Sequence, residues 1–110
     1  MPRHLLTDFE LMILLAVLRV GDEAYGVPIA RELEETAGRP ATLASVYTVL
    51  DRLEDRGLVT SRVGDPTPAR GGRAKRCFQV TTAGMTAVRD TRRALMALWT
   101  GVPALRKGTA

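Results

Sequence analysis

The stretch that decides the fold is TLASVYTVLDRLEDRGLV, residues 42–59. Thr42 is a residue type that caps helix starts, and Gly57 is a residue type that ends helices. Between them, four apolar residues recur at the spacing of one helix face: Val46, Val49, Leu50 and Leu53. A β-prone run, LVTSRV (residues 58–63), follows directly. We therefore expect an amphipathic helix that leads straight into a strand.

Two further helical patterns precede this stretch. Thr7 and Glu10 have the form of a capping box and predict a helix from about Asp8 to Val20, ending at Gly21. Its apolar positions at helical spacing are Leu11, Leu14, Leu15 and Leu18. The run YGVPIARELEETAG (residues 25–38) predicts a second helix with Pro28 in its first turn and Gly38 as its C-cap. Its inward face comprises Ile29, Leu33 and Ala37.

A long-looped hairpin and a last helix follow the central stretch. The run CFQVT (residues 77–81) predicts a second strand, separated from the first by a Gly/Pro-rich segment that contains RGGRAKR, residues 70–76. Thr82 can cap a helix that runs to about Trp99. Its near-heptad stripe, interrupted by Arg92, comprises Met85, Val88, Leu95 and Trp99. We expect residues 101–110 to form a disordered tail.

Length and composition exclude several classes of protein. A chain of 110 residues with 45% hydrophobic residues predicts one globular domain. Its longest apolar run, Leu11–Leu18, is far shorter than the roughly 20 residues that span a bilayer, and the N-terminus lacks the pattern of a signal peptide. The single cysteine, Cys77, predicts a reducing, cytoplasmic location and reads as a packing residue.

The net charge of +4 is distributed unevenly along the chain. Residues 1–38 carry three arginines against seven acids, residues 39–76 carry eight basic residues against four acids, and residues 77–110 carry five against one. The positive charge is therefore displaced toward the middle and the end of the chain. This asymmetry is typical of a surface that binds a polyanion, although a solvated basic tail would give a similar count.

Helix, helix, helix, hairpin, helix is the order of a winged helix-turn-helix, in which the third helix enters the major groove of DNA. Its outward face presents Ser45, Tyr47, Thr48, Asp51 and Arg52. Hydroxyl groups and helix N-terminal amides bind phosphate, and Ser or Thr also contacts base edges. We expect Arg52 to offset the charge of Asp51, while Tyr47 is either a phosphate contact or a half-buried helix residue.

Three segments, YGVPIARELEE, LASVYTVLDRLEDRGLV and GGRAKRCFQVTTAG, resemble in order and spacing the signature segments of the PadR family of bacterial transcriptional regulators. The resemblance covers about residues 5–90. It implies a DNA-binding winged helix whose C-terminal helix makes a homodimer, usually a repressor that a small molecule or stress signal releases. It also implies that Tyr47 and the residues just before it face DNA, including Ala44, where many members have glycine.

The predicted organisation is mainly α with a small β-hairpin: a winged helix-turn-helix over residues 1–81, a dimerisation helix over 82–100 and the tail. The hairpin places four basic residues in the wing, where a Gly-Gly tip lets them reach phosphates or a narrow minor groove. A solubilising loop is the alternative. The candidate DNA-binding residues are Thr42, Ala44, Ser45, Tyr47, Thr48, Arg52, Arg70, Arg73, Lys75 and Arg76.

The last helix carries the other candidate site. Its dimerisation residues are Met85, Val88, Arg92, Leu95 and Trp99. Trp99 either lines a pocket between protomers for a small aromatic or hydrophobic ligand or packs at the dimer seam.

An enzyme is the competing class, and the sequence gives it little support. His4 is the only histidine, so Cys77 has no other histidine to activate it, and no phosphate-binding Gly-rich loop precedes a helix. We expect no catalytic residues, no metal and no cofactor. A winged helix that binds another protein instead of DNA remains the alternative function.

Overall fold

The computed structural model describes residues 5–64 and 75–108. The main elements are α1 (Asp8–Val20), α2 (Gly26–Ala37), α3 (Leu43–Asp55), β1 (Val59–Val63), β2 (Arg76–Val80) and α4 (Thr82–Thr100). Short 3-10 helices occupy Gly21–Glu23 and Pro103–Gly108. The two strands form an antiparallel hairpin. This confirms the predicted mainly helical, winged helix-turn-helix fold.

Local capping interactions explain where α1 and α3 begin. The Thr7 side chain accepts a hydrogen bond from the Glu10 amide, and the Glu10 carboxylate accepts one from the Thr7 amide, which completes the predicted capping box. The Thr42 hydroxyl accepts from the Ser45 amide at 3.1 Å at the start of α3. Gly38 ends α2 in the left-handed conformation with φ of 65°, which favours glycine.

The cap of α4 is Thr81 and not Thr82, which corrects the sequence prediction. The Thr81 hydroxyl accepts from the Gly84 amide at 3.0 Å and donates to the Gly57 carbonyl at 2.7 Å. Its amide also donates to the Leu58 carbonyl. Thr81 therefore caps α4 and at the same time ties its start to the end of α3.

The core lies where α1, α2 and α3 meet the hairpin. Its largest fully buried side chains are Ile13, Leu14, Ile29, Leu50, Leu53, Val46 and Val59. The inward face predicted for α3 is confirmed, and so are Ile29 and Leu33 of α2, whereas Ala37 is exposed.

The predicted face of α1 is wrong in part. Leu15 and Leu18 are 42% and 41% exposed, and the buried residues are Ile13, Leu14, Ala16 and Val17. Every residue from 11 to 18 is apolar, so the pattern fixes the helix but not the side that faces the core.

The hairpin pairs Val59 with Val80 at one end and Val63 with Arg76 at the other. β1 begins one residue later than predicted, and β2 begins one residue earlier. The Gly64 amide extends the pairing by donating to the Lys75 carbonyl at 2.9 Å, and the Phe78 amide donates to the Ala24 carbonyl at 2.8 Å. The hairpin is thereby fixed to the connection between α1 and α2.

The first half of α4 packs on its own protomer and the second half extends away from it. Ala87, Val88 and Thr91 are buried, and the Thr91 hydroxyl accepts a hydrogen bond from the Leu6 amide at 3.0 Å. From residue 95 onward the side chains of α4 are exposed. Within the segment expected to be a disordered tail, a 3-10 helix begins at Pro103, and the Leu105 amide donates to the Val102 carbonyl.

Candidate nucleic-acid interface

The outward face of α3 is rich in hydroxyl groups, as the sequence predicts. Thr42, Ala44 and Thr48 are exposed and Ser45 is half-buried. The Ser45 hydroxyl donates to the Thr42 carbonyl at 2.9 Å, and the Thr48 hydroxyl donates to the Ala44 carbonyl at 2.8 Å. Because both hydroxyl protons are donated to backbone carbonyls, the two hydroxyl oxygens are available to accept hydrogen bonds from DNA. To donate a hydrogen bond to a base, either hydroxyl must first rotate.

Tyr47 is half-buried and joins α3 to the start of α2. Its phenolic oxygen accepts a hydrogen bond from the Gly26 amide at 3.1 Å, and its ring lies 6.1 Å from the Phe78 ring, centroid to centroid. This contact explains the tyrosine as a structural residue. A phenol that accepts one hydrogen bond keeps a proton to donate, so the contact with DNA stays a prediction.

Gly26 is a glycine because of this tyrosine. A Cβ atom at Gly26 would lie 2.6 Å from Cε2 and from the hydroxyl oxygen of Tyr47. The two residues are 21 positions apart, so the helical patterns in the sequence do not connect Gly26 with Tyr47.

We expect Gly26→Ala to lower the free energy of unfolding by about 1–2 kcal/mol, because the Tyr47 ring must move to admit the methyl group. In a Tyr47→Ala background, the same change should cost about 0.5 kcal/mol or less. Urea denaturation of the wild type, both single variants and the double variant measures this coupling. An equal cost of Gly26→Ala in both backgrounds would show that the ring is not the obstacle.

Arg76 contacts two acids of α3. Its guanidinium nitrogens lie 2.8 Å from a carboxylate oxygen of Asp51 and 2.5 Å from one of Glu54. Asp51 is thus paired with Arg76 of the hairpin. The sequence had led us to expect that its neighbour Arg52 would offset its charge. A hydrogen bond from Ser61, followed by the contact with Arg76, holds the pKa of Glu54 below its ordinary value despite partial burial.

Lys75 lies at the base of the wing, with its ammonium group 4.4 Å from the centroid of the Tyr25 ring. This distance is typical of a cation–π contact. Arg52 is exposed on α3. Arg70 and Arg73 lie outside the described residues. The described cations of the candidate interface are therefore Arg52 and Lys75, together with the paired Arg76.

The predicted dimerisation residues divide into two groups. Val88 is buried in its own protomer and Met85 is half-buried, whereas Leu95 and Trp99 are 52% and 55% exposed and Arg92 is also exposed. Met96 and Leu98, which the heptad pattern omitted, are exposed as well. Arg93 lies 3.6 Å from Asp90 of its own helix. A pocket on α4 is lined by Arg89, Arg92, Arg93, Met96, Ala97 and Thr100, without Trp99.

Residues 5–64 and 75–108 contain neither a candidate metal cluster nor a candidate membrane-spanning helix. Within them, no three His, Cys, Asp or Glu side chains come close enough to hold a metal ion. No helix in the same ranges is long and apolar enough to cross a membrane.

The family model for the transcriptional regulator PadR-like family matches residues 14–90, which contain the second half of α1, helices α2 and α3, the hairpin and the first half of α4. The chain belongs to this PadR-like family. No curated protein matches the chain. The predicted family is therefore confirmed, and the chain is a PadR-like transcriptional regulator.

Solved structures of PadR-like proteins have the same fold. A PadR family regulator from Eggerthella lenta is 23% identical with a TM-score of 0.69, and the match covers 87% of this chain and 81% of that one. A PadR-like regulator from Bacillus cereus is 19% identical with a TM-score of 0.70, covering 91% and 92%. A complex structure of hsRosR-S1 is 28% identical with a TM-score of 0.68, covering 94% and 84%. The first two likenesses, at such identities, concern the fold alone.

Proposed function

We propose that this PadR-like regulator binds DNA sequence-specifically as a homodimer and represses a gene until a small molecule or stress signal releases it. The observation that carries the proposal is the start of α3, where the exposed Thr42 and Thr48 and the half-buried Ser45 present hydroxyl groups before Asp51, the first charge of the helix. In a winged helix-turn-helix this end of the third helix reaches base edges in the major groove. The regulator acts where DNA is, in the cytoplasm.

The roles of the α3 and wing residues follow from their chemistry. Ser45 and Thr48 contact base edges, and Thr42 and Ala44 allow the helix end to approach the backbone closely. Tyr47 donates its phenolic proton to a phosphate while it accepts from Gly26. Arg52 and the basic wing residues, Arg70, Arg73 and Lys75, supply the electrostatic part of the affinity.

The homodimer is supported by surfaces that one protomer leaves exposed. Its radius of gyration is 16.1 Å, whereas a compact chain of this length has about 13 Å. The excess reflects the second half of α4, which carries Leu95, Leu98 and Trp99 into solvent. An apolar groove between α1 and α2, which includes Leu15 and Leu18, is the second exposed apolar surface.

Charge also favours contact between these two surfaces. Residues 1–38, which form α1 and α2, carry a net charge of −4, and residues 77–110 carry +4. In the proposed dimer, α4 of one protomer therefore lies along α1 and α2 of its partner. A ligand near Trp99 would then lie between protomers, where it could change the separation of the two α3 helices.

Fluorescence anisotropy with DNA from immediately upstream of the gene tests the function. We expect this duplex to bind more tightly than a scrambled duplex, and its affinity to fall about 10³-fold or more between 50 and 200 mM salt. Ser45→Ala and Thr48→Ala should change the preferred sequence. Equal binding to both duplexes at every salt concentration would contradict the proposal and direct the search to a protein partner.

A further inference from the structure

Arg76 is the first residue of β2, and its side chain reaches across to α3. One terminal nitrogen lies 2.8 Å from Asp51 and the other lies 2.5 Å from Glu54. Its guanidinium carbon also lies 4.8 Å from the centroid of the Phe78 ring. A planar guanidinium can satisfy two carboxylates and stack on a ring together, which the single ammonium of lysine cannot do with the same geometry.

Ser61 of β1 joins the same network. Its hydroxyl donates to the second carboxylate oxygen of Glu54 at 2.8 Å and accepts from Nε of Arg76 at 3.3 Å. The Arg76 network, which we define as Arg76, Asp51, Glu54 and Ser61, thus connects α3 with both strands of the hairpin. It fixes the base of the wing relative to the helix that is proposed to enter the groove.

The network also reduces the negative charge that α3 presents to DNA. Asp51 lies about one helical turn after Thr48 and its side chain is 56% exposed, while that of Glu54 is 32% exposed. Without Arg76, two uncompensated carboxylates would lie on the DNA-reading helix and would repel phosphates. With both acids bound, the guanidinium has little net charge to offer a phosphate.

We infer that Arg76 is a positioning residue of the DNA-binding surface, which offsets part of the negative charge of Asp51 and Glu54 and holds the wing base on α3, and that it does not contact phosphate itself. The inference rests on the proposed DNA-binding function. It separates Arg76 from the other wing cations, with which the sequence had grouped it.

Removing the two acids together with Arg76 tests the inference in a DNA-binding assay. We expect Arg76→Ala to weaken binding about tenfold at constant salt, and the triple variant with Asp51→Asn and Glu54→Gln to return within about threefold of wild type. Arg56→Ala is the control, because it removes the same charge from the end of α3, where Arg56 pairs with Glu10 at 3.2 Å. We expect this control to lose about threefold or less.

Two results would overturn the inference. One is a triple variant that binds as weakly as Arg76→Ala, with a salt slope about one unit shallower than that of wild type, which marks a direct phosphate contact. The other is an equal loss for Arg76→Ala and Arg56→Ala, which marks an effect of net charge alone.

Urea denaturation separates this inference from the proposed function. A double-mutant cycle of Arg76→Ala with Glu54→Gln should show a coupling of about threefold in the unfolding equilibrium constant, whether or not the protein prefers its upstream DNA. Coupling without DNA preference would leave the network in place and refute the function. Absence of coupling would refute the network itself.

Discussion

Replacing Gly84 by alanine is expected to lower the free energy of unfolding by about 3 kcal/mol, because an added methyl group would meet atoms closer here than at any other glycine that the structure describes. A Cβ atom at this position would lie 2.2 Å from the carbonyl oxygen of Leu58 and 2.7 Å from Cγ1 of Val80. The first obstacle is backbone, so no rotation of a side chain relieves it. The gain in helix propensity from Gly to Ala, at most about 1 kcal/mol, does not compensate.

Gly101→Ala is the matched control for Gly84→Ala. Gly101 has φ of −85°, which any residue adopts, and a Cβ atom there would meet nothing within 4 Å. Thermal or urea denaturation should therefore show a clear loss for Gly84→Ala and almost none for Gly101→Ala. Similar stability of the two variants would mean that the start of α4 is not packed against Leu58.

Replacing Leu95 and Trp99 together by aspartate is expected to convert the proposed dimer into monomers and to weaken DNA binding at least about a hundredfold. Both side chains are about half exposed on the part of α4 that extends from the protomer, so aspartate there should not disturb the core. In the proposed dimer each carboxylate would be buried without a partner. A monomer contacts one half-site at a time, so it lacks the gain in affinity that comes from binding two half-sites together.

Sedimentation equilibrium measures the assembly, and anisotropy with the upstream duplex measures the binding. Ala83→Asp is the control, because Ala83 is exposed in the first turn of α4, where an acid is favourable. It should remain dimeric and bind like wild type. A double variant that stays dimeric would place the interface elsewhere than on the second half of α4.

The starts of α1 and α3 and the fold were predictable from the sequence because their determinants are local. Thr7, Glu10 and Thr42 cap helices within three residues, and the apolar spacing of α3 identifies its buried face. The choice between Thr81 and Thr82 was not predictable, since both are threonines. Thr81 is the cap because its hydroxyl also reaches the Gly57 carbonyl.

The partners within the candidate site were less predictable, because they come from distant parts of the chain. Arg76 reads as a wing cation in the sequence, yet its acids lie 25 and 22 residues earlier on α3. Tyr47 meets Gly26 in the same way. For both pairs, the sequence showed only that an acid or a tyrosine lies on the outward face of α3. This position does not identify the residue that the side chain contacts.

The hydrogen bond from the Leu6 amide to Thr91 has a consequence for how the protein is made. It joins residues 85 positions apart, so it closes a loop of most of the chain. A ribosome releases α1, α2, α3 and the hairpin before residue 91 emerges, and until then the Leu6 amide lacks this partner. The beginning of this protein therefore completes its structure only after residue 91 has emerged, when α4 docks on α1.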